Sequence, residues 1–243
     1  MRTLAIGDIH GGLKALTQLL ERAGVAKDDT LIFLGDYVDG WSESAQVIQY
    51  LIELSKVNNC NFIKGNHDAW CEQWLASGFV NDVWFQHGGK ETIESYNGFS
   101  EDDKKAHLNF FEDMEMYHID VKNRLFVHAG FTSMHGVEKE YNVQIFYFDR
   151  TLWEMALTMD KRIKKDSSLY PNRLKHYSEI YIGHTPTLNY NRTEPMNAVN
   201  VWDIDTGAAF NGRLSAIDVN TKEVFQSDRV MDLYPNENGR NKN

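Results

Sequence analysis

The sequence predicts an α/β fold built on a parallel sheet, and three observations carry that expectation. Short apolar runs at 2–6, 30–35 and 60–64 alternate with two amphipathic stretches, which gives a βαβαβ order and a parallel sheet. Each run ends in a glycine-marked turn bearing carboxylate, amide or imidazole: Gly7-Asp8-Ile9-His10-Gly11, Gly35-Asp36-Tyr37-Val38-Asp39-Gly40 and Gly65-Asn66-His67-Asp68. Two later runs repeat the pattern with a histidine beside a small residue, His128-Ala129-Gly130 and Gly183-His184-Thr185. Open α/β sheets place their chemistry at the carboxyl ends of strands, and right-handed crossovers set those ends on one edge.

The first helix is expected over 12–23, because Leu13, Leu16, Leu19 and Leu20 recur at helical spacing and Gly24 stops the run. Ser42 is a candidate cap for the second, whose apolar face is Ala45, Val47, Ile48, Leu51, Ile52 and Leu54. From 67 to about 115 the pattern is mostly helical, and Glu101-Asp102-Asp103 reads as a solvated helix start. A hairpin is expected over 116–121 and 124–128, then a helix over 149–165 whose Lys161, Arg162, Lys164 and Lys165 complement its dipole. Strands near 179–183, 198–204, 213–219 and 223–227 are expected to form a second, mixed sheet packed on the first. The 243 residues read as a single domain over 1–234 with a disordered polar tail over 235–243.

A formal charge of -10 and a pI near 5.3 argue against a nucleic-acid or anionic-membrane surface, which needs clustered Lys and Arg. Cys60 and Cys71, with a chain that enters a strand at once and has no run of about 18 apolar residues, read as reduced thiols of a cytoplasmic protein.

Asp8 and His10 can reach one metal from a strand end, Asp36 has a carboxylate able to bridge two ions, and Asn66, His128 and His184 add oxygen and nitrogen donors. Such a set without thiolate suits Mn²⁺, Fe or Zn²⁺. Two ions roughly 3.5–4 Å apart would deprotonate a water and clamp the oxygens of an in-line phosphoryl displacement.

These blocks, in this order, resemble the phosphoprotein phosphatase branch of the calcineurin-like metallophosphoesterases, and Asp203-Ile204-Asp205-Thr206-Gly207-Ala208 resembles the closing segment of its small bacterial members. The resemblance spans residues 1 to about 227. It implies an α/β sandwich of two mixed sheets flanked by helices, and two divalent ions, Mn²⁺ first with Fe or Zn²⁺ as alternatives. Asp8, His10 and Asp36 would hold the first ion, and Asp36, Asn66, His128 and His184 the second. His67 would protonate the leaving alkoxide with Asp39 holding its ring, and a metal-bridging hydroxide would attack. Arg150 and Asn66 would bind the substrate phosphate. The family usually carries Val-Asp-Arg-Gly where this chain has Val38-Asp39-Gly40-Trp41, so a phosphate-clamping arginine, a contact worth about 1–3 kcal/mol, is missing.

The expected activity is therefore a serine/threonine phosphatase-like phosphomonoesterase acting on a phosphorylated protein or a small phosphoester. Hydrolysis of dinucleoside polyphosphates such as diadenosine tetraphosphate is the alternative, and a catalytically silent protein-binding scaffold is the rival from another class. His87 reads as a helix-start turn near the cleft, and His107, His118, His135 and His176 as surface or packing residues. Asp68 is expected to cap its helix or support His67, and Asp205 to brace the site. The native metal pair, the substrate and the oligomeric state are left open.

Overall fold

The computed structural model describes residues 2–241. In chain order its strands are β1 (Thr3–Ile6), β2 (Thr30–Phe33), β3 (Asn59–Phe62), β4 (Tyr117–Ile119), β5 (Arg124–Val127), β6 (Glu179–Ile182), β7 (Met196–Ala198), β8 (Val201–Asp203), β9 (Arg213–Asp218) and β10 (Val224–Arg229). They form two five-stranded mixed sheets, ordered β10-β9-β1-β2-β3 and β4-β5-β6-β8-β7. In the first, β1, β2 and β3 are parallel, with Leu4 opposite Leu31 and Leu31 opposite Cys60. The crossovers are helices α1 (Leu13–Arg22) and α2 (Ser44–Ser55), and α3 (Asn66–Ser77) follows β3. In the second sheet β5, β6 and β8 run parallel while β4 and β7 are antiparallel edges.

The pleat sorts side chains into three cores. Leu4, Ile6, Leu31 and Phe33 pack under α1 and α2, whereas Ala5 and Ile32 point the other way. From the second sheet Phe126, Tyr181 and Ile204 meet Ala5, Ile32 and Ile217, so this small cluster lies between the sheets. Leu125, Val127, Ile180 and Ile182 face outward onto Leu152, Trp153 and Leu174. Apolar faces on both sides of both sheets fix how the strand ends approach.

Several expectations need correction. The strands at 213–218 and 224–229 do not join the second sheet; β9 pairs antiparallel with β1, and β10 with β9. The edge strand β7, three residues long, was not expected. The helix expected over 149–165 spans only Thr151–Thr158, because Met159 is extended and the Asp160 carboxylate accepts the Arg162 backbone N–H in a local turn. Lys161, Arg162, Lys164 and Lys165 therefore cap no helix dipole. Ser42 does not cap α2; its backbone N–H and hydroxyl donate to Glu237 at 3.0 and 2.8 Å.

The segment after Val230–Leu233 is not loose over its described part. Tyr234 stacks on Trp41, with centroids 5.3 Å apart and planes at 24°, and the Arg240 backbone N–H donates to the Ala209 carbonyl at 2.8 Å. The aromatic partner that holds it, Trp41, lies some two hundred positions upstream, so local composition gave no hint of it. Residues 242–243 lie outside the described residues.

One ion pair at the amino ends of β1 and β2, opposite the carboxyl ends that carry the motifs, holds a pH-dependent share of stability. Asp29 is 2% exposed; it accepts from the Arg2 guanidinium at 2.6 Å and from the backbone N–H groups of Arg2 and Ala26 at 2.8 and 3.0 Å. The Arg2 hydrogen bond is the main cause that pulls the carboxyl pKa down to about 2. Because the folded value lies below the unfolded one, the pair stabilises above about pH 4 and the contribution is lost as pH falls towards 2. Arg2 remains about a third exposed, which screens the pair, so Asp29→Asn is expected to cost on the order of 1–2 kcal/mol at pH 7. Urea unfolding should show the gap from wild type narrowing below pH 4.

Candidate metal centre

The turns after β1, β2, β3, β5 and β6 bring Asp8, His10, Asp36, Asn66, His67, His128 and His184 to one place, the first five from one sheet and the last two from the other. Asp36 is central. Its Oδ2 lies 3.7 Å from His10 Nε2 and 3.4 Å from His128 Nε2, and its Oδ1 accepts the His67 backbone N–H at 3.0 Å. Donor atoms of His10, Asp36 and His67 lie within 4.8 Å of one another, and so do those of Asp36, His128 and His184. Asp8 Oδ2 is 3.9 Å from His10 Nε2 and 3.1 Å from the His184 backbone nitrogen, and Asn66 Oδ1 is 3.4 Å from His128 Nε2.

Backbone carbonyls fix the tautomers. His10 Nδ1 lies 3.1 and 3.0 Å from the Val38 and Asp39 oxygens, and His128 Nδ1 lies 2.7 Å from that of Leu34. A carbonyl only accepts, so in each ring Nδ1 carries a proton and Nε2 is the nitrogen turned to Asp36. Asp68 holds the Asp36 loop by accepting the backbone N–H groups of Asp36, Tyr37 and Gly65 at 2.7, 2.9 and 2.8 Å. Close approach explains one motif glycine: a Cβ on Gly183 would overlap Asp8 Oδ1. His10, Asp36, Asp39 and His184 all sit at positive φ, between 53° and 76°, a strained conformation that persists only where surroundings impose it.

The electrostatics describe a site short of cations. Burial, reinforced by the charges of Asp205 and Asp36, pushes the Asp8 carboxyl up. Burial likewise opposes the Asp36 charge, yet positive charge on His128 and His67 and the His128 hydrogen bond hold its pKa below the usual range. Asp205 is raised by burial to about 6. Buried carboxylates beside inward-facing imidazole nitrogens suit divalent cations. The cleft beside them, about 100 Å³, is lined by His10, Asp36, Asn66, His67, Arg150, His184 and Asp205, and also by Phe210 and Arg240.

Next to this cluster stands a dyad. His67 Nδ1 lies 2.5 Å from Asp39 Oδ2, whose carboxylate also accepts from Trp84 Nε1 at 2.7 Å and from Thr92 Oγ1 at 2.6 Å. Burial raises Asp39 and lowers His67, so both groups are pushed towards their neutral forms. Trp84 and Thr92 went unrecognised as partners of Asp39 because a tryptophan and a threonine in a helical stretch carry no ligand pattern. Arg240 was missed because it lies in the segment read as a disordered tail. His87 turns its Nδ1 to the Val83 carbonyl at 2.6 Å, and His107 is buried between the Tyr96 hydroxyl and Gln49.

Residues 1–209 match the calcineurin-like phosphoesterase family, and the chain belongs to it: it is a phosphoester hydrolase of metallophosphoesterase type. Among curated relatives, the asymmetrical bis(5'-nucleosyl)-tetraphosphatase PrpE of Oceanobacillus iheyensis is 28% identical, covering 96% of this chain and 98% of its own. The protein of the same name from Bacillus anthracis is 28% identical over 87% and 88%. Among solved structures, a proposed diadenosine tetraphosphatase superposes with a TM-score of 0.63 at 18% identity, over 93% of this chain and 92% of its own. A protein serine/threonine phosphatase of Saccharomyces cerevisiae gives 0.61 at 15%, over 94% and 80%. At those identities the two structures establish a shared fold.

Among the described residues no helix is long and apolar enough to cross a membrane.

Proposed function

We propose that this protein hydrolyses phosphomonoesters in the manner of serine/threonine phosphatases. The observation that carries this reading is the His67–Asp39 pair: an alkoxide is a poor leaving group, and a buried imidazole hydrogen-bonded to a carboxyl group would be the acid that protonates it. Asp8, His10 and Asp36 would hold one divalent ion and Asp36, Asn66, His128 and His184 a second, with Mn²⁺ the first candidate. The bound ions would supply a water of lowered pKa and neutralise phosphoryl charge. Asn66 would also touch the substrate phosphate. Arg150, which lines the cleft and adds positive charge near His184, would draw a phosphoryl oxygen towards it.

A second reading has its own support: relatives that align over nearly the whole chain are named as asymmetrical tetraphosphatases. Off-centre cleavage of diadenosine tetraphosphate expels a nucleotide, a better leaving group that makes less demand on an acid. With Mn²⁺ supplied, phosphate release from a phosphoserine peptide is expected to exceed cleavage of diadenosine tetraphosphate in kcat/KM. The reverse order would transfer the assignment to the dinucleotide.

A further inference from the structure

We infer that Arg240, delivered by the C-terminal segment, is a substrate-phosphate-binding residue that occupies the space left open at Gly40. The inference rests on the phosphoester-hydrolase reading of the cleft and adds a contact that the motif blocks do not contain.

Two observations converge on it. Arg240 lines the same cleft as His10, Asp36, Asn66, His67 and Arg150. Its guanidinium forms no hydrogen bond or ion pair with any described residue; its recorded contact is the face of the Phe210 ring, 5.4 Å from the centroid. A guanidinium has five N–H donors in a planar fork, so one left facing a cleft is fitted to an oxyanion that arrives from outside.

Gly40 is shaped for this arrangement. Its φ is +118°, and a Cβ there would stand 3.2 Å from Arg240 Cγ and 3.6 Å from Cδ. A side chain at position 40 and the Arg240 stem compete for one space, so the glycine is the counterpart of the incoming arginine. The segment is also held in register. Gly239 lies against the Trp41 indole, whose Nε1 donates to the Ala208 carbonyl at 2.7 Å. The Glu237 carboxylate accepts from the Ser42 backbone and hydroxyl, and the Tyr234 hydroxyl bonds to Glu43. Ser42 and Trp41 belong to the loop that carries Asp39, so the same turn that holds the dyad positions the arginine.

The test uses full-length protein loaded with Mn²⁺, comparing wild type, Arg240→Ala and Arg240→Lys. The readouts are calorimetric binding of inorganic phosphate, steady-state kinetics on p-nitrophenyl phosphate, bound Mn²⁺ and thermal melting. Removing a charge-assisted fork is expected to weaken phosphate binding and lower kcat/KM by about 10- to 100-fold, with Mn²⁺ content and melting unchanged and Lys partly restoring both. Glu237→Gln, which loosens the anchor, is expected to act in the same direction and to add little on top of Arg240→Ala. Unchanged phosphate affinity in Arg240→Ala would overturn the inference. Loss of Mn²⁺ or a lowered melting temperature at unchanged phosphate affinity per loaded site would also overturn it, since Arg240 would then be a structural counter-charge. A wild type that binds Mn²⁺ but hydrolyses no phosphoester would instead overturn the reading on which it rests.

Discussion

His67→Asn is expected to lower kcat by about 10²- to 10⁴-fold while leaving the bound metal intact. Asparagine can keep a hydrogen bond to Asp39 Oδ2 but has no proton to give at Nε2. The deficit should shrink on p-nitrophenyl phosphate, whose phenolate leaves without help, and stay large on a phosphoserine peptide. That ratio between substrates separates a proton donor from a residue that merely shapes the cleft. Because donor atoms of His67 come within 4.8 Å of those of His10 and Asp36, metal analysis carries equal weight. Loss of an ion in His67→Asn would make the ring a ligand and remove it from the acid role.

Asp36→Asn is expected to have the largest effect of any single substitution at the site. The carboxylate stands between His10 Nε2 and His128 Nε2, so it is the one side chain both proposed ions would share. An amide presents one oxygen and no charge. Mn²⁺ content should fall from two per chain to one or fewer, and turnover by at least about 10³-fold, equivalent to about 4 kcal/mol of transition-state stabilisation. The fold should survive, because Asp68 holds the loop through the backbone nitrogens of Asp36 and Tyr37 rather than through the side chain. Two firmly bound ions and ordinary turnover in this variant would remove Asp36 from the bridging position.

Much of this was legible in the sequence. The βαβαβ opening and the five motif blocks could be read because each rule is local: an apolar run, a glycine turn, a polar residue at the strand end. The features that could not be read are those set by distant partners. β9 carries the same alternation as any half-buried strand, and only its pairing with β1 decides which sheet it joins. The expected helix over 149–165 overran because Asp160 supplies a turn that competes with helical bonding. Most instructive is the contrast between Gly40 and Arg240: the absent arginine was visible as a gap in a motif, but nothing near residue 240 says that its stem lies over that gap. Polar composition reads as disorder unless a partner such as Trp41 is known to be waiting.

The two-sheet origin of the cluster has a further consequence. Asp8, His10, Asp36 and Asn66 come from one sheet and His128 and His184 from the other, and between the sheets lies a modest apolar layer of Ala5, Ile32, Leu34, Phe126, Tyr181, Ile204, Ile217 and Val219. Any cation held by both sets acts as a clasp across that seam. Its binding free energy is then also cohesion between the halves, and resistance to unfolding rises with the logarithm of free metal concentration. In such an arrangement metal supply governs how long the protein lasts as well as how fast it works.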